Sequence, residues 1–260
     1  MSNIACRSIR FASVLSAALT VAIAGCSEDA ESPTEPRLQP ALATTATQAL
    51  VFRQVSAGHF PTCGVTSDNR AYCWGANFSG QLGDGTNTQR LRPMAVAGGL
   101  NFRQVLAGAR DRYGTSHSCG VTTSYQGYCW GGNDEGQLGD GTTTQRLKPR
   151  AVAGGLQFSG LIPGGDHTCA VTTASVAHCW GYDYYGQLGD GSPVGNAAPT
   201  RLSPFAVVGE LALKAVTPGG THTCALTTGN LAYCWGANAG QLGDGTTDWT
   251  STPVPVAGPI

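Results

Sequence analysis

Eight cysteines stand in four pairs, each separated by ten residues: Cys63 and Cys73, Cys119 and Cys129, Cys169 and Cys179, Cys224 and Cys234. Thiols at this spacing offer two chemistries, disulfide formation and metal ligation. Turn-forming residues sit inside each pair, such as Ser67-Asp68-Asn69 in the first and Thr228-Gly229-Asn230 in the last. A hairpin centred on residue 68 sets 63 opposite 73. Opposed residues at a non-hydrogen-bonded position have Cα atoms about 4.5 Å apart, within disulfide reach. Each closed loop of 11 residues would gain roughly 2.5–3 kcal/mol in the chain-entropy picture. The metal alternative rests on His117, His167 and His222, each two positions before a cysteine. Zinc takes four convergent ligands; each of these copies offers three, and the first has Pro61 in place of the histidine. We therefore read four intra-hairpin disulfides, no metal and no cofactor, and expect the histidines to bond backbone within their own repeat.

Four aspartates, Asp84, Asp140, Asp190 and Asp244, recur inside Gly-Asp-Gly turns. Calcium requires six to eight oxygens, and only one carboxylate recurs per turn. The reading is an aspartate bonding its own turn backbone. A basic series recurs nearby (Arg90 and Arg92; Arg146, Lys148 and Arg150; Arg201); the adjacent aspartates are expected to neutralise it, leaving a solvated face. Catalytic patterns are missing: there is no Gly-x-Ser-x-Gly elbow and no His-Glu-x-x-His. Thr66-Ser67-Asp68 followed by Trp74 loosely echoes a sialidase motif, but the other copies lack that aspartate. No catalytic residue is assigned, and the chain is read as a non-enzyme.

The elements that must hold these residues are four copies of one unit. Tyr72-Cys73-Trp74-Gly75 recurs at Tyr128, His178 and Tyr233, with tryptophans Trp74, Trp130, Trp180 and Trp235 spaced by 56, 50 and 55 residues. Gly-Gln-Leu-Gly-Asp-Gly follows each, starting at Gly80, Gly136, Gly186 and Gly240. Every copy opens on a short apolar strand and closes near a proline, giving repeats 50–99, 100–155, 156–210 and 211–260. A period of about fifty residues with several short strands per copy is the mark of a β-propeller. One blade cannot bury both faces, so neighbours must stack, and the four tryptophans are assigned to the layer between blades.

These motifs resemble the regulator of chromosome condensation repeat family over residues 50–260. The resemblance implies an all-β propeller of four-stranded blades. Family members usually carry seven blades and this chain carries four. It could close tightly, remain an open or incomplete arc, pair with another molecule, or be part of a longer seven-blade protein. An open arc would expose blade edges to self-association.

The N-terminal part reads as an address. Arg7 and Arg10 precede an uncharged apolar run, Phe11 to Ala24, too short to span a bilayer but suited to a signal peptide. Ile23-Ala24-Gly25-Cys26 resembles a bacterial lipobox, which makes residues 1–25 the signal and Cys26 the lipidated residue. Ser27 at the next position suits an outer-membrane lipoprotein. The rest of segment 26–49, rich in Ser, Thr, Pro, Ala and Glu, reads as a flexible tether. The address also puts the cysteines in an oxidising compartment. With 15 basic and 16 acidic residues in 260, the chain has a net charge of -1, which argues against nucleic acid as a partner.

Where copies of a repeat differ, binding residues are sought. Between Trp-Gly and Gly-Gln-Leu the third copy alone carries Tyr182, Tyr184 and Tyr185; the second has an insertion with Arg110 and Arg112; Trp249 is particular to the fourth. These six residues form the candidate surface. The function expected is a non-enzymatic binding or scaffold propeller, a protein-interaction or inhibitor module, displayed from the cell envelope toward an unknown protein or envelope polymer. The resemblance also implies guanine-nucleotide exchange on a small GTPase, and an envelope hydrolase ranks third.

Overall fold

The computed structural model describes residues 49–258 apart from 111, 112 and 115, and of Arg110 the backbone alone. The signal segment, Cys26, the tether up to 48 and Arg112 lie outside the described residues.

Sixteen strands form four antiparallel sheets in chain order. The first sheet is β1 (Phe52–Ala57), β2 (Pro61–Thr66), β3 (Ala71–Gly75) and β4 (Arg90–Ala95). The second is β5 (Phe102–Arg110), β6 (Ser116–Thr122), β7 (Gly127–Gly131) and β8 (Arg146–Ala151). The third is β9 (Phe158–Pro163), β10 (His167–Thr172), β11 (Ala177–Gly181) and β12 (Arg201–Ala206). The fourth is β13 (Leu213–Pro218), β14 (His222–Thr227), β15 (Ala232–Gly236) and β16 (Thr250–Pro255). Within a sheet every strand pairs only with its sequence neighbours, so each repeat is a meander and the whole is a stack of propeller blades.

The core lies between blades. Cys63, Val65, Cys73 and Leu82 of the first blade pack against Phe102, Val105 and Trp130 of the second. The second blade meets the third through Cys119, Val121, Cys129 and Leu138 against Phe158, Leu161 and Trp180. The third meets the fourth through Cys169, Val171, Cys179 and Leu188 against Leu213, Val216 and Trp235. Each blade thus has a leading face built on an aromatic or leucine, a branched aliphatic and the tryptophan, and a trailing face built on the cysteine pair. Among the described residues the fourth blade shares no such cluster with the first.

Three of the four tryptophans also make the hydrogen bond that fixes the stacking. The indole Nε1 of Trp130 donates to the Gln81 carbonyl at 3.0 Å, Trp180 to Gln137 at 3.0 Å and Trp235 to Gln187 at 2.9 Å. Ser118, Thr168 and Thr223 add a hydroxyl donor to the same three carbonyls. The indoles of Trp130, Trp180 and Trp235 are fully buried. Trp74 corrects the sequence expectation. Among the described residues no blade packs on its outer face, and it lies partly exposed, packed on Phe52 of the same blade with ring centroids 5.8 Å apart.

The cysteines of each pair face each other across the second and third strands. All four pairs are bonded, with Cα–Cα separations of 4.1 to 4.2 Å. Two of the three histidines reach across to the next blade, which the expectation of bonds within the repeat did not include. His117 Nε2 lies 2.7 Å from Thr168 Oγ1 of the next blade, and His167 Nε2 lies 2.9 Å from Thr223 Oγ1. Burial holds His167 neutral, with a pKa near 3, and the neighbouring His117 and His222 add to the effect. Among the described residues no group of three His, Cys, Asp or Glu side chains could hold a metal.

Candidate binding surface

The third-to-fourth-strand loop of each blade is a hydrogen-bonded frame. In the first, Asn77 Oδ1 accepts from Leu82 N at 3.0 Å, and its amide donates to the carbonyls of Thr86 and Thr88. Gln81 Oε1 accepts from Ser79 N at 2.8 Å. Asp84 accepts from the Thr86 amide and hydroxyl and pairs with Arg90 Nε at 2.6 Å. Burial opposes ionisation of Asp84, but the Thr86 and Arg90 hydrogen bonds outweigh it and hold the carboxyl below its ordinary value. Asp140 with Arg146 and Asp190 with Arg201 repeat the pairing. The aspartates thus bond their own turns, and in three copies an arginine answers the carboxylate.

The third loop departs from this frame. Asp183 stands where the other copies have Asn77, Asn133 and Asn238. Its Oδ1 still accepts from Leu188 N at 2.8 Å, but a carboxylate has no N–H to give. Burial, together with the nearby charge of Asp190, pushes the Asp183 carboxyl up to about 7.

The residues flanking Asp183 turn outward. Tyr184 and Tyr185 meet edge to face with centroids 5.0 Å apart. Tyr182 lies parallel to Tyr184 at 6.1 Å and edge-on to Tyr185 at 6.4 Å. The longer copy-three loop folds back on this group, with Gly195 N donating to the Tyr184 carbonyl at 2.6 Å. Trp249 arrives from the fourth blade. Gly191 N bonds the Ser251 carbonyl at 2.9 Å, which draws the start of β16 over the third loop. That contact seats the Trp249 indole 4.8 Å from Tyr185 and 6.1 Å from Tyr184. The three tyrosines are partly exposed and Trp249 is 43% exposed. Mutual edge and stacked contacts of this kind contribute about 0.5–1.5 kcal/mol each, so the rings hold one another in place without a ligand.

Of the six candidate residues the structure gathers these four. Arg110 ends β5, one blade away; its backbone pairs with Ser116 at the same end of its blade from which Tyr182 leaves. Sequence reasoning missed a second feature, an apolar groove of about 650 Å³ at the rim between the third and fourth blades. Val176, Phe205, Val208 and Leu211 line it, and Arg201 lies 4.2 Å over the Phe205 ring. Its trace in the sequence is a single substitution: Phe205 stands where the first two copies have Met94 and Arg150.

Comparison with known proteins agrees with this architecture. The regulator of chromosome condensation (RCC1) repeat matches residues 68–110, 127–171 and 177–226, and a second form of the same repeat matches 52–81 and 214–241. The ultraviolet-B receptor UVR8 of Arabidopsis thaliana is 31% identical over 213 residues, covering 80% of this chain and 46% of the receptor. The human E3 ubiquitin-protein ligase HERC2 is 38% identical over 100 residues, 38% of this chain and 2% of the ligase. The chain therefore spans less than half the length of these relatives. Among solved structures, Prp20p of Saccharomyces cerevisiae superposes with a TM-score of 0.69 at 19% identity, covering 82% of this chain and 52% of that one. Human WBSCR16 superposes with a TM-score of 0.68 at 22% identity, covering 80% and 53%. With the repeat matched across all four blades, and the indole-to-carbonyl joint between successive blades accounting for the motif's tryptophan and glycines, the chain belongs to the regulator of chromosome condensation repeat family.

Proposed function

We propose that the protein is a non-enzymatic binding propeller of the bacterial cell envelope, anchored by lipid on Cys26, raised on the 26–49 tether, and engaging a protein or envelope polymer through Tyr182, Tyr184, Tyr185 and Trp249. The observation that carries this reading is the gathering of four partly exposed rings from two blades, at positions where the repeats differ. Tyrosine and tryptophan are the side chains that dominate interface hot spots. Four disulfides support a compartment outside the cytosol. Yeast Prp20p was solved together with its binding to Gsp1p and histones. Exchange activity on a GTPase would come to this chain by fold analogy alone, and a disulfide-bonded envelope protein would not meet a cytosolic GTPase.

The test is capture from envelope extracts with the full chain and with a Tyr182→Ala, Tyr184→Ala, Tyr185→Ala variant. The variant keeps a cooperative melting transition and all four disulfides and loses the captured partner. Equal capture by both proteins would reject the aromatic surface. Palmitate labelling of the native chain but not of Cys26→Ala is the companion test of the anchor; equal labelling would reject it.

A further inference from the structure

Each internal joint is made by one recurring set of complementary features, and the two outermost blades carry the unused halves of that set. At a joint, the trailing blade supplies a main-chain carbonyl (Gln81, Gln137, Gln187) and a glycine-bearing loop. The leading blade supplies the indole, a hydroxyl and the first residues of its fourth strand. Gly80 lies so close under Leu147 that an added Cβ would meet its Cδ2 at 2.5 Å, and Gly136 lies equally close under Leu202. Gly85 N donates to the Leu147 carbonyl at 2.8 Å and Gly141 N to that of Leu202 at 2.8 Å.

Among the described residues nothing covers the leading half on the first blade. Leu91, the counterpart of Leu147 and Leu202, is 88% exposed. Val55, the counterpart of the buried Val105 and Leu161, is 58% exposed. The fourth blade presents the trailing half equally bare. Gly240 and Gly245 have nothing within 4 Å of an added Cβ. Gln241 is exposed although Gln81, Gln137 and Gln187 are buried. Leu226, in the place of the buried Val65, Val121 and Val171, is 39% exposed.

We propose that these two faces dock on each other between molecules, so that a second copy of this chain sets its first blade against the fourth blade of the first copy, head to tail. The Trp74 indole then donates to the Gln241 carbonyl, Leu91 covers Gly240, and Gly245 N meets the Leu91 carbonyl, as at the three joints inside the chain. Charge does not oppose the pairing, since residues 50–260 carry 12 basic and 12 acidic side chains. The contact is heterologous, one face meeting a different face. It closes into a ring of two copies if the rotation per blade completes a turn, and otherwise leaves one end free.

The experiment is sedimentation of the full chain in one detergent throughout, alone and with a block on either face. Leu91→Asp blocks the leading face at a residue that supports nothing in its own blade, and Leu226→Asp blocks the trailing face. The native chain sediments at the mass of two or more copies, and each variant alone at the mass of one. The two variants mixed form a one-to-one pair and go no further, because each retains the face the other has lost. Unchanged melting curves and four intact disulfides certify each variant; if Leu226→Asp fails to fold, Gln241→Arg on the same face replaces it. A native chain of single-copy mass, variants that associate like the native chain, or a mixture that does not pair would each overturn the proposal.

Discussion

Replacing Asp183 by asparagine should stabilise the protein, and by an amount that depends on pH in a stated direction. The buried carboxyl has moved from an ordinary 3.8 to about 7, through desolvation first and the Asp190 charge second. A shift of about three units at 1.36 kcal/mol each corresponds to about 4 kcal/mol. Because the folded value is raised, the contribution of the protonated acid is fully present below pH 3.8 and is lost as pH rises through 7. Native stability should therefore decline from pH 4 to pH 8 relative to Asp183→Asn. The asparagine restores the N–H donors that Asn77 and Asn133 give to carbonyls of their own loops. Urea titrations followed by tryptophan fluorescence at half-unit steps from pH 4 to 8.5 measure the difference. The two proteins should be nearly equal at pH 4, with the variant ahead by up to about 4 kcal/mol at pH 8. A gap that stays constant with pH, or a variant less stable at pH 8, would refute the reasoning.

Two further outcomes separate the joints from the rest of the fold. Gly139 has φ +69 and a Cβ there would lie 2.5 Å from the Trp180 indole nitrogen, whereas Gly243, with φ +65, would meet only Val256 at 3.1 Å; Gly139→Ala should therefore cost roughly 1–3 kcal/mol more than Gly243→Ala in thermal unfolding, and equal costs would deny that the glycine serves the indole. Replacing Cys119 and Cys129 together by serine opens an 11-residue loop and should lower stability by roughly 2.5–3 kcal/mol, read from the denaturation midpoint; no measurable loss would contradict a stapling role.

Much of this architecture was legible because the repeat announces its own periodicity. The tryptophans, the paired cysteines and the Gly-Gln-Leu-Gly-Asp-Gly turns each recur at one structural address, so four blades and their internal pairing follow from alignment of the chain with itself. What escaped was whatever depends on a neighbour. Trp74 has the same local sequence as Trp130, yet it lies partly exposed, because burial of this ring comes from a neighbouring blade and among the described residues none lies against it. His117 and His167 bond the next blade's threonines, a contact fifty-odd residues away that no local pattern encodes. Trp249 stood alone in sequence and meets Tyr185 only because the Gly191 to Ser251 bond crosses between blades. The Phe205 groove lies on an outer strand, where a single substitution in a repeat carries no pattern that marks a cavity.

The division between frame and variation has a physical cause. At a joint, one glutamine carbonyl takes two hydrogen bonds and one glycine admits an indole edge, so a side chain added there meets atoms closer than any real contact allows. The loop's interior is equally constrained, since the buried Asn or Asp and the Gln accept main-chain N–H groups of the loop. Residues 184 and 185 enter that scheme through backbone groups, which turns their side chains away from the frame. Tyrosines can accumulate there at no cost to stacking, whereas Asp183, between them, replaces a frame residue and takes on a raised pKa in consequence. A binding surface on such a repeat is therefore expected where it is found, on the outward positions of a loop whose inward positions are already committed.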